Sequence, residues 1–230
     1  GSDEAGRLLG EALVREDVDI SRCRIRPGAN ARAFIGHDGQ DRRFLRSKRG
    51  VRGQWGPIDE DDLFYIAGYD LVHSSIYSEL GDALSIVRGT ARRLSYDFSE
   101  RWTDRNLAAT LPSVDIAFLS YPSSSDEDCR SLLARCIELG AGMAVATRGA
   151  KGSMALVEGA FRVHDASPAL VVDTLGAGDG FIAAFLLTIL DGGGVAAAMA
   201  AGAQHAARVC GYQGGFGHGA AWTQTETAVL

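Results

Sequence analysis

The sequence predicts an α/β fold: a mostly parallel sheet covered by helices on both faces. Three observations carry that expectation. Short apolar segments alternate with longer amphipathic ones, as when strands are joined by crossover helices. The 230 residues are 46% hydrophobic, enough for one full core. The glycine-rich turns follow strand-like segments, and open α/β sheets bind ligands at the carboxyl ends of their strands.

The elements follow in order. Asp3 to Val14 reads as an opening helix. Ala31 to Ile35 and Arg43 to Arg46 flank His37-Asp38-Gly39-Gln40, and Asp-Gly is a strong turn signal, so a two-stranded ribbon is expected. Asp59 to Gly68 is a short helix, Leu71 to Ser74 a buried strand, and Glu79 to Arg93 a helix. Strands follow at Leu94 to Asp97 and Ile116 to Ser120. Asp126 to Leu139 is amphipathic, with Leu132, Leu133, Cys136 and Leu139 on one face. Gly142 to Thr147 and Met154 to Val157 are strands around the Gly149 turn, and Phe161 to His164 and Leu170 to Val172 are two more. Helices from Gly178 to Leu190 and Val195 to Cys210 close the fold, with Gly192-Gly193-Gly194 as a helix stop between them. No internal repeat, linker or low-complexity tract interrupts this series, so one domain over residues 1–230 is expected.

Charge and cysteine usage narrow the function. A net charge of −6 argues against general nucleic-acid binding. No apolar run is long enough for a membrane span, and the start carries no basic-then-apolar leader pattern, so the expected compartment is the cytoplasm. Cys23, Cys129, Cys136 and Cys210 show no C-x-x-C spacing, which argues against zinc or a redox pair. One stretch is strongly basic: Arg42, Arg43, Arg46, Lys48, Arg49 and Arg52 lie within Asp41 to Arg52. It reads as a solvated loop, or as a cationic rim that attracts an anionic substrate.

The segment richest in chemistry is Asp173-Thr174-Leu175-Gly176-Ala177-Gly178-Asp179, between the strand-like Ala169 to Val172 and the apolar helix that begins near Phe181. A helix start there exposes N–H groups that lack intrahelical partners, at the positive end of the helix dipole. Small residues at Gly176, Ala177 and Gly178 let a phosphate approach the backbone. Asp179 would accept a proton from an attacking hydroxyl, so the run reads as a phosphoryl-transfer site. The bland alternative is a tight turn with an N-terminal charge. Other glycine-rich motifs fail: Gly149-Ala150-Lys151-Gly152-Ser153 has Walker-type residues in the wrong order, and Phe181 stands where a dinucleotide fingerprint needs a small residue.

D-T-L-G-A-G-D-G-F over Asp173–Phe181 resembles the signature D-T-x-G-A-G-D of the PfkB (ribokinase-like) carbohydrate kinases. Thr147 to Ser153 resembles that family's T-x-G-x-x-G nucleotide hairpin. Asp97-Phe98-Ser99-Glu100-Arg101 resembles its D-x-N-x-R segment, with Ser99 replacing Asn. Gly1-Ser2-Asp3-Glu4-Ala5-Gly6 with Leu9 resembles its early G-x-D-x-x-G-x-x-L stretch. Asp70-Leu71-Val72-His73 and Asp97-Phe98-Ser99 look closest to the fructoselysine 6-kinase branch.

The resemblance implies a ribokinase-like fold and transfer of the ATP γ-phosphoryl group to a sugar hydroxyl. It assigns the Gly176, Ala177 and Gly178 N–H groups to an anion hole and Asp179 to the catalytic base. Thr147, Gly149, Gly152, Asp97 and Arg101 fall to nucleotide binding. Asp173 and the Leu175 carbonyl fall to a monovalent-cation site, with K⁺ as the ion, closed by Gly211 to Gly217. The ribbon at about residues 30–47 becomes a lid through which a homodimer would form. Mg²⁺ comes with ATP, held mainly by phosphates and water. Read singly, Arg101 would pair with Glu100 or Asp104, Lys151 would be exposed, and Tyr69, His73, Ser74 and Tyr77 would be packing or surface residues near a strand end.

Two departures from the family pattern temper this. Ser120-Tyr121-Pro122-Ser123 lacks the N-x-x-E motif of the magnesium region, and the acids that follow, Asp126, Glu127 and Asp128, suit the first turn of a helix better. The family also carries a first strand, part of the lid and a G-G-N sugar motif before the segment that matches Gly1–Gly6. Without them the sheet is expected to be incomplete at its N-terminal side, with an unpaired edge. The alternatives are therefore a nucleotide-binding remnant without catalysis, or a nucleoside or vitamin kinase of the same superfamily.

Overall fold

The computed structural model describes residues 1–38, 41–215, 217 and 218. Helix α1 (Glu4–Arg15) opens the chain, capped by Asp3, whose carboxylate accepts the Gly6 N–H. The ribbon is β1 (Arg32–Asp38) antiparallel to β2 (Asp41–Lys48), with a bulge at Phe34/Ile35. Gly39 and Gln40 of its expected turn lie outside the described residues.

Helix α2 (Glu60–Ala67) starts at a capping box between Asp59 and Asp62. The main sheet then builds in chain order from β3 (Val72–Ser75), β4 (Leu94–Asp97), β5 (Ile116–Ser120), β6 (Met143–Thr147), β7 (Ser153–Val157) and β8 (Ala160–His164). Strands β3 to β6 are parallel, and β7 and β8 are antiparallel. Among the described residues β3 forms one edge of the sheet.

Each face of the sheet has its own core. Leu94, Tyr96, Ala117, Leu119, Ala144 and Ala146 pack with α3 (Ala83–Thr90), α4 (Asp104–Thr110) and α5 (Asp126–Glu138). Ile116, Phe118, Val145 and Ala155 pack on the opposite face against α6 (Ala177–Leu190) and α7 (Val195–Val209). This two-sided burial is why the central strands read as continuous apolar runs. In α5, Cys129, Leu132, Leu133 and Cys136 turn inward, and Cys129 and Cys136 are free thiols. Burial pushes the Cys136 thiol up to about 12, so it packs as a small apolar side chain. Among the described residues no helix is long and apolar enough to cross a membrane.

Three expectations need correction. Leu170–Val172 is not a strand: Leu170 is 86% exposed, and the Val172 and Asp173 N–H groups both donate to the Cys210 carbonyl at the end of α7. Its backbone pairs with a helix terminus, so no ladder forms. The helix expected from Glu79 starts only at Ala83, because Glu79 (φ +54°) and Gly81 (φ +53°) are left-handed. The basic stretch is no free loop: most of it is β2, and Arg49 and Arg52 both bind Glu79.

Gly152 closes the β6–β7 hairpin at φ +80°, ψ −132°, and a Cβ there would collide with the His164 carbonyl. Gly152→Ala is expected to lower the unfolding free energy by about 2–4 kcal/mol. Denaturant unfolding checks this; a loss below about 0.5 kcal/mol would contradict the strain.

Candidate active site

The turn before α6 is built by hydrogen bonds from its own residues. Asp173 is buried, and its two carboxylate oxygens accept N–H bonds from Leu175 (3.0 Å) and Gly214 (3.1 Å). The Ala177 N–H donates to the Thr174 carbonyl at 3.3 Å, with Gly176 at φ +80°, ψ −4°, which is a type II turn. A Cβ on Gly176 would lie 2.5 Å from the Gly215 carbonyl oxygen. Only glycine satisfies both the positive φ and that approach.

Helix α6 therefore begins with no side-chain cap. Among the described residues the N–H groups of Gly176, Gly178 and Asp179 have no carbonyl partner. The free donors are thus shifted from the expected trio: Ala177 is engaged and Asp179 joins. Asp179 itself is exposed in the first turn, so its carboxylate is open to a ligand. Unpaired N–H groups and the helix dipole make this point attractive to an anion.

The sheet face under α6 changes character beside this turn. Between β5 and β7 it is apolar, with Phe118 edge-on to Phe185 at 5.4 Å. On β4 and β3 the register places Ser95, Asp97, His73 and Ser75 on the same face. His73 Nδ1 lies 2.8 Å from the Ser95 hydroxyl, and its ring sits edge-on to Phe118 at 6.4 Å. Burial pushes the Asp97 carboxyl up from 3.8 to about 6, the Ser99 N–H bond pulls it down, and the Asp179 charge pushes it up again. Burial lowers the His73 imidazole, and Asp179 acts against that shift. Asp179, Asp97 and His73 thus share one electrostatic neighbourhood, bounded by a polar strip on an otherwise apolar face.

The other predicted residues fall as follows. Asp97 ends β4 and Thr147 ends β6, so both lie at the carboxyl end of the sheet, two strands apart. Thr147 Oγ1 donates to the Leu119 carbonyl at 3.4 Å, and Gly149 (φ +58°) and Gly152 shape the hairpin turn. Arg101 makes no ion pair with Glu100 or Asp104; its guanidinium lies over the Tyr77 ring at 5.9 Å. Tyr77 in turn donates to the Ser99 hydroxyl at 3.4 Å, and Ser99 holds φ +51° where the motif it resembles has Asn, a residue better suited to left-handed backbone. Lys151 binds the Ser124 carbonyl at 2.8 Å.

The Asp126–Asp128 acids form the first turn of α5, with Ser125 and Asp128 in a capping box. Asp126 pairs with the buried Arg148 at 2.5 Å. Among the described residues no group of three or more His, Cys, Asp or Glu side chains is arranged to hold a metal. Asp173 acts as a staple of the turn. No sequence signal announces the Arg148–Asp126 pair or the His73–Ser95 contact, since both depend on strand register rather than spacing.

Several known proteins are similar to this chain. A family model described as pfkB family carbohydrate kinase matches residues 1–217. The fructoselysine 6-kinase of Escherichia coli (strain K12) is 33% identical over 214 residues, which cover 93% of this chain and 81% of that protein. The fructosamine kinase FrlD of Bacillus subtilis (strain 168) is 36% identical over 224 residues, covering 95% and 78%. Among solved structures, Arabidopsis thaliana ribokinase complexed with ribose and ATP superposes with a TM-score of 0.80 at 22% identity, over 95% of this chain and 76% of that one. That last likeness is one of fold, and it bears out the ribokinase-like α/β architecture.

The raised Asp97 carboxyl sets a pH test. Its folded value, about 6, lies above the ordinary 3.8, so its stabilising contribution is present below pH 4 and lost as pH rises through 6. Asp97→Asn is expected to stabilise the protein by about 1–3 kcal/mol at pH 8, and the gain should vanish below pH 4. Urea unfolding across that window decides it, and a gain independent of pH would contradict burial of the carboxylate as its origin.

Proposed function

This chain belongs to the pfkB family of carbohydrate kinases, and from that premise we propose that it transfers the ATP γ-phosphoryl group to a hydroxyl of a fructosamine-type sugar such as fructoselysine. The observation that carries the reading is the start of α6. Unpartnered N–H groups of Gly176 and Gly178 stand there beside the exposed carboxylate of Asp179. The two relatives named for fructoselysine and fructosamine substrates supply the acceptor class.

In this reading Asp179 takes the proton of the acceptor hydroxyl as its oxygen attacks the γ-phosphorus. The bond from phosphorus to the bridging oxygen of ADP breaks, and ADP leaves. Charge on the phosphoryl oxygens is met by the free N–H groups, which are fixed before the reaction and need no reorganisation. Thr147, Gly149 and Gly152 form the hairpin on which the nucleotide lies, and Asp97 and Arg101 border it. Mg²⁺ would arrive with ATP and screen the phosphate charge. Asp173 and the Leu175 carbonyl would hold a K⁺ ion. The chain acts as one kinase domain, with the ribbon β1–β2 as its lid.

A second reading, nucleotide binding without turnover, is favoured by one observation: Asp126, in the region of the missing N-x-x-E motif, is occupied by Arg148. One variant separates the two. Asp179→Asn is expected to lower acceptor-stimulated ADP release at least ~100-fold while ATP affinity stays within about threefold. Turnover unchanged in that variant removes Asp179 from the mechanism. ATP binding without release by the unmodified chain, over a set of sugars, fructosamines and nucleosides, selects the second reading.

A further inference from the structure

The polar strip on β3 and β4 has an unused ring nitrogen. Ser95 is fully buried, and its hydroxyl donates to the Val72 carbonyl at 3.4 Å. The shorter contact, 2.8 Å to His73 Nδ1, engages that ring nitrogen with Ser95 Oγ. With Nδ1 engaged, Nε2 is the ring nitrogen left to meet a ligand. Among the described residues no group bonds to Nε2, and His73 is exposed.

The surroundings favour the neutral ring. Phe118 of β5 meets one edge of the imidazole. The charged groups near this face are Asp97 on β4 and Asp179 on α6, and only Asp179 draws the ring toward its charged form, against the larger effect of burial. A polar side chain here also runs against the packing of the sheet, since the equivalent face of β5 and β6 carries Ile116, Phe118 and Val145. His73 stands at the solvent-accessible end of that face, where its ring can reach a ligand.

We propose that His73 selects the acceptor, its Nε2 forming a hydrogen bond with an acceptor hydroxyl or amine beside Asp179. This rests on the kinase reading for the identity of the acceptor, but its test is a binding measurement. His73 orients a neighbouring part of the acceptor and leaves the proton transfer to Asp179. A site built to hydrogen-bond one group of the acceptor discriminates strongly against acceptors that lack it.

Isothermal titration of fructoselysine, and in parallel ATP, into the unmodified chain and three variants tests it. His73→Phe keeps a ring against Phe118 and removes both nitrogens. His73→Gln carries a polar atom near the place of Nε2, and His73→Asn carries one near Nδ1, where it can still meet Ser95. Acceptor affinity should fall about tenfold in the Phe and Asn variants and stay within about threefold in the Gln variant, with ATP affinity unchanged in all three. The proposal is overturned by rescue with Asn rather than Gln, by unaltered affinity in the Phe variant, by a parallel loss of ATP affinity, or by no fructoselysine binding to the unmodified chain. Acceptor binding without ADP release would sink the kinase reading and leave His73 in its role. Release indifferent to His73→Phe would do the reverse.

Discussion

The site depends on a helix start where, among the described residues, the N–H groups of Gly176, Gly178 and Asp179 have no carbonyl partner. Helix α6 has no side-chain cap, and the backbone at Gly176 turns left-handed under the Gly215 carbonyl. Ordinarily a serine or aspartate at the N-cap would satisfy those donors. Here Asp173 instead turns its carboxylate back to Leu175 and Gly214, which fixes the loop and leaves the helix end open. The loop is further tied to α7, because Val172 and Asp173 donate to Cys210. The donors are thus aimed by bonds on either side of them, and an anion arriving there meets dipoles already in place.

A second constraint follows from the sheet. Its two faces are both covered, so every inward position faces a core, and polar groups there cost stability unless they are paired. The α6 face keeps that rule across β5, β6 and β7 and departs from it on β3 and β4. Asp97 shows the cost directly: burial makes its charged form unfavourable, and only the Ser99 N–H opposes that. Ser99 meets the demand by adopting φ +51°. A fold that gives up packing and backbone ease at one end of one face concentrates reactive groups where the ligand-binding ends of the parallel strands lie.

Much of this was legible in the sequence because it is local. The run Asp173–Asp179 encodes the turn, its glycine and its acid within seven consecutive residues, and the Thr147–Ser153 hairpin declares itself through two glycines with positive φ. The capping box of α5 follows from acids after a serine. What escaped depends on distant partners. Leu170–Val172 looks like a strand by composition, yet its N–H groups are taken by a helix terminus far along the chain. Helix α4 begins at a box between Thr103 and Asn106 that lacks the usual Glu or Gln. The stacking of Arg101 on Tyr77, the pairing of Arg148 with Asp126 and the contact of His73 with Ser95 all follow from register and packing. No spacing rule contains them.

The most direct measurement of the central claim is a crystal structure with ADP, aluminium fluoride and fructoselysine bound. Fluoride ligands within about 2.7–3.2 Å of the Gly176 and Gly178 nitrogens, with the acceptor hydroxyl against Asp179, is the predicted result. A planar or square fluoride group held elsewhere, with those amides facing water or turned onto a carbonyl, would contradict it.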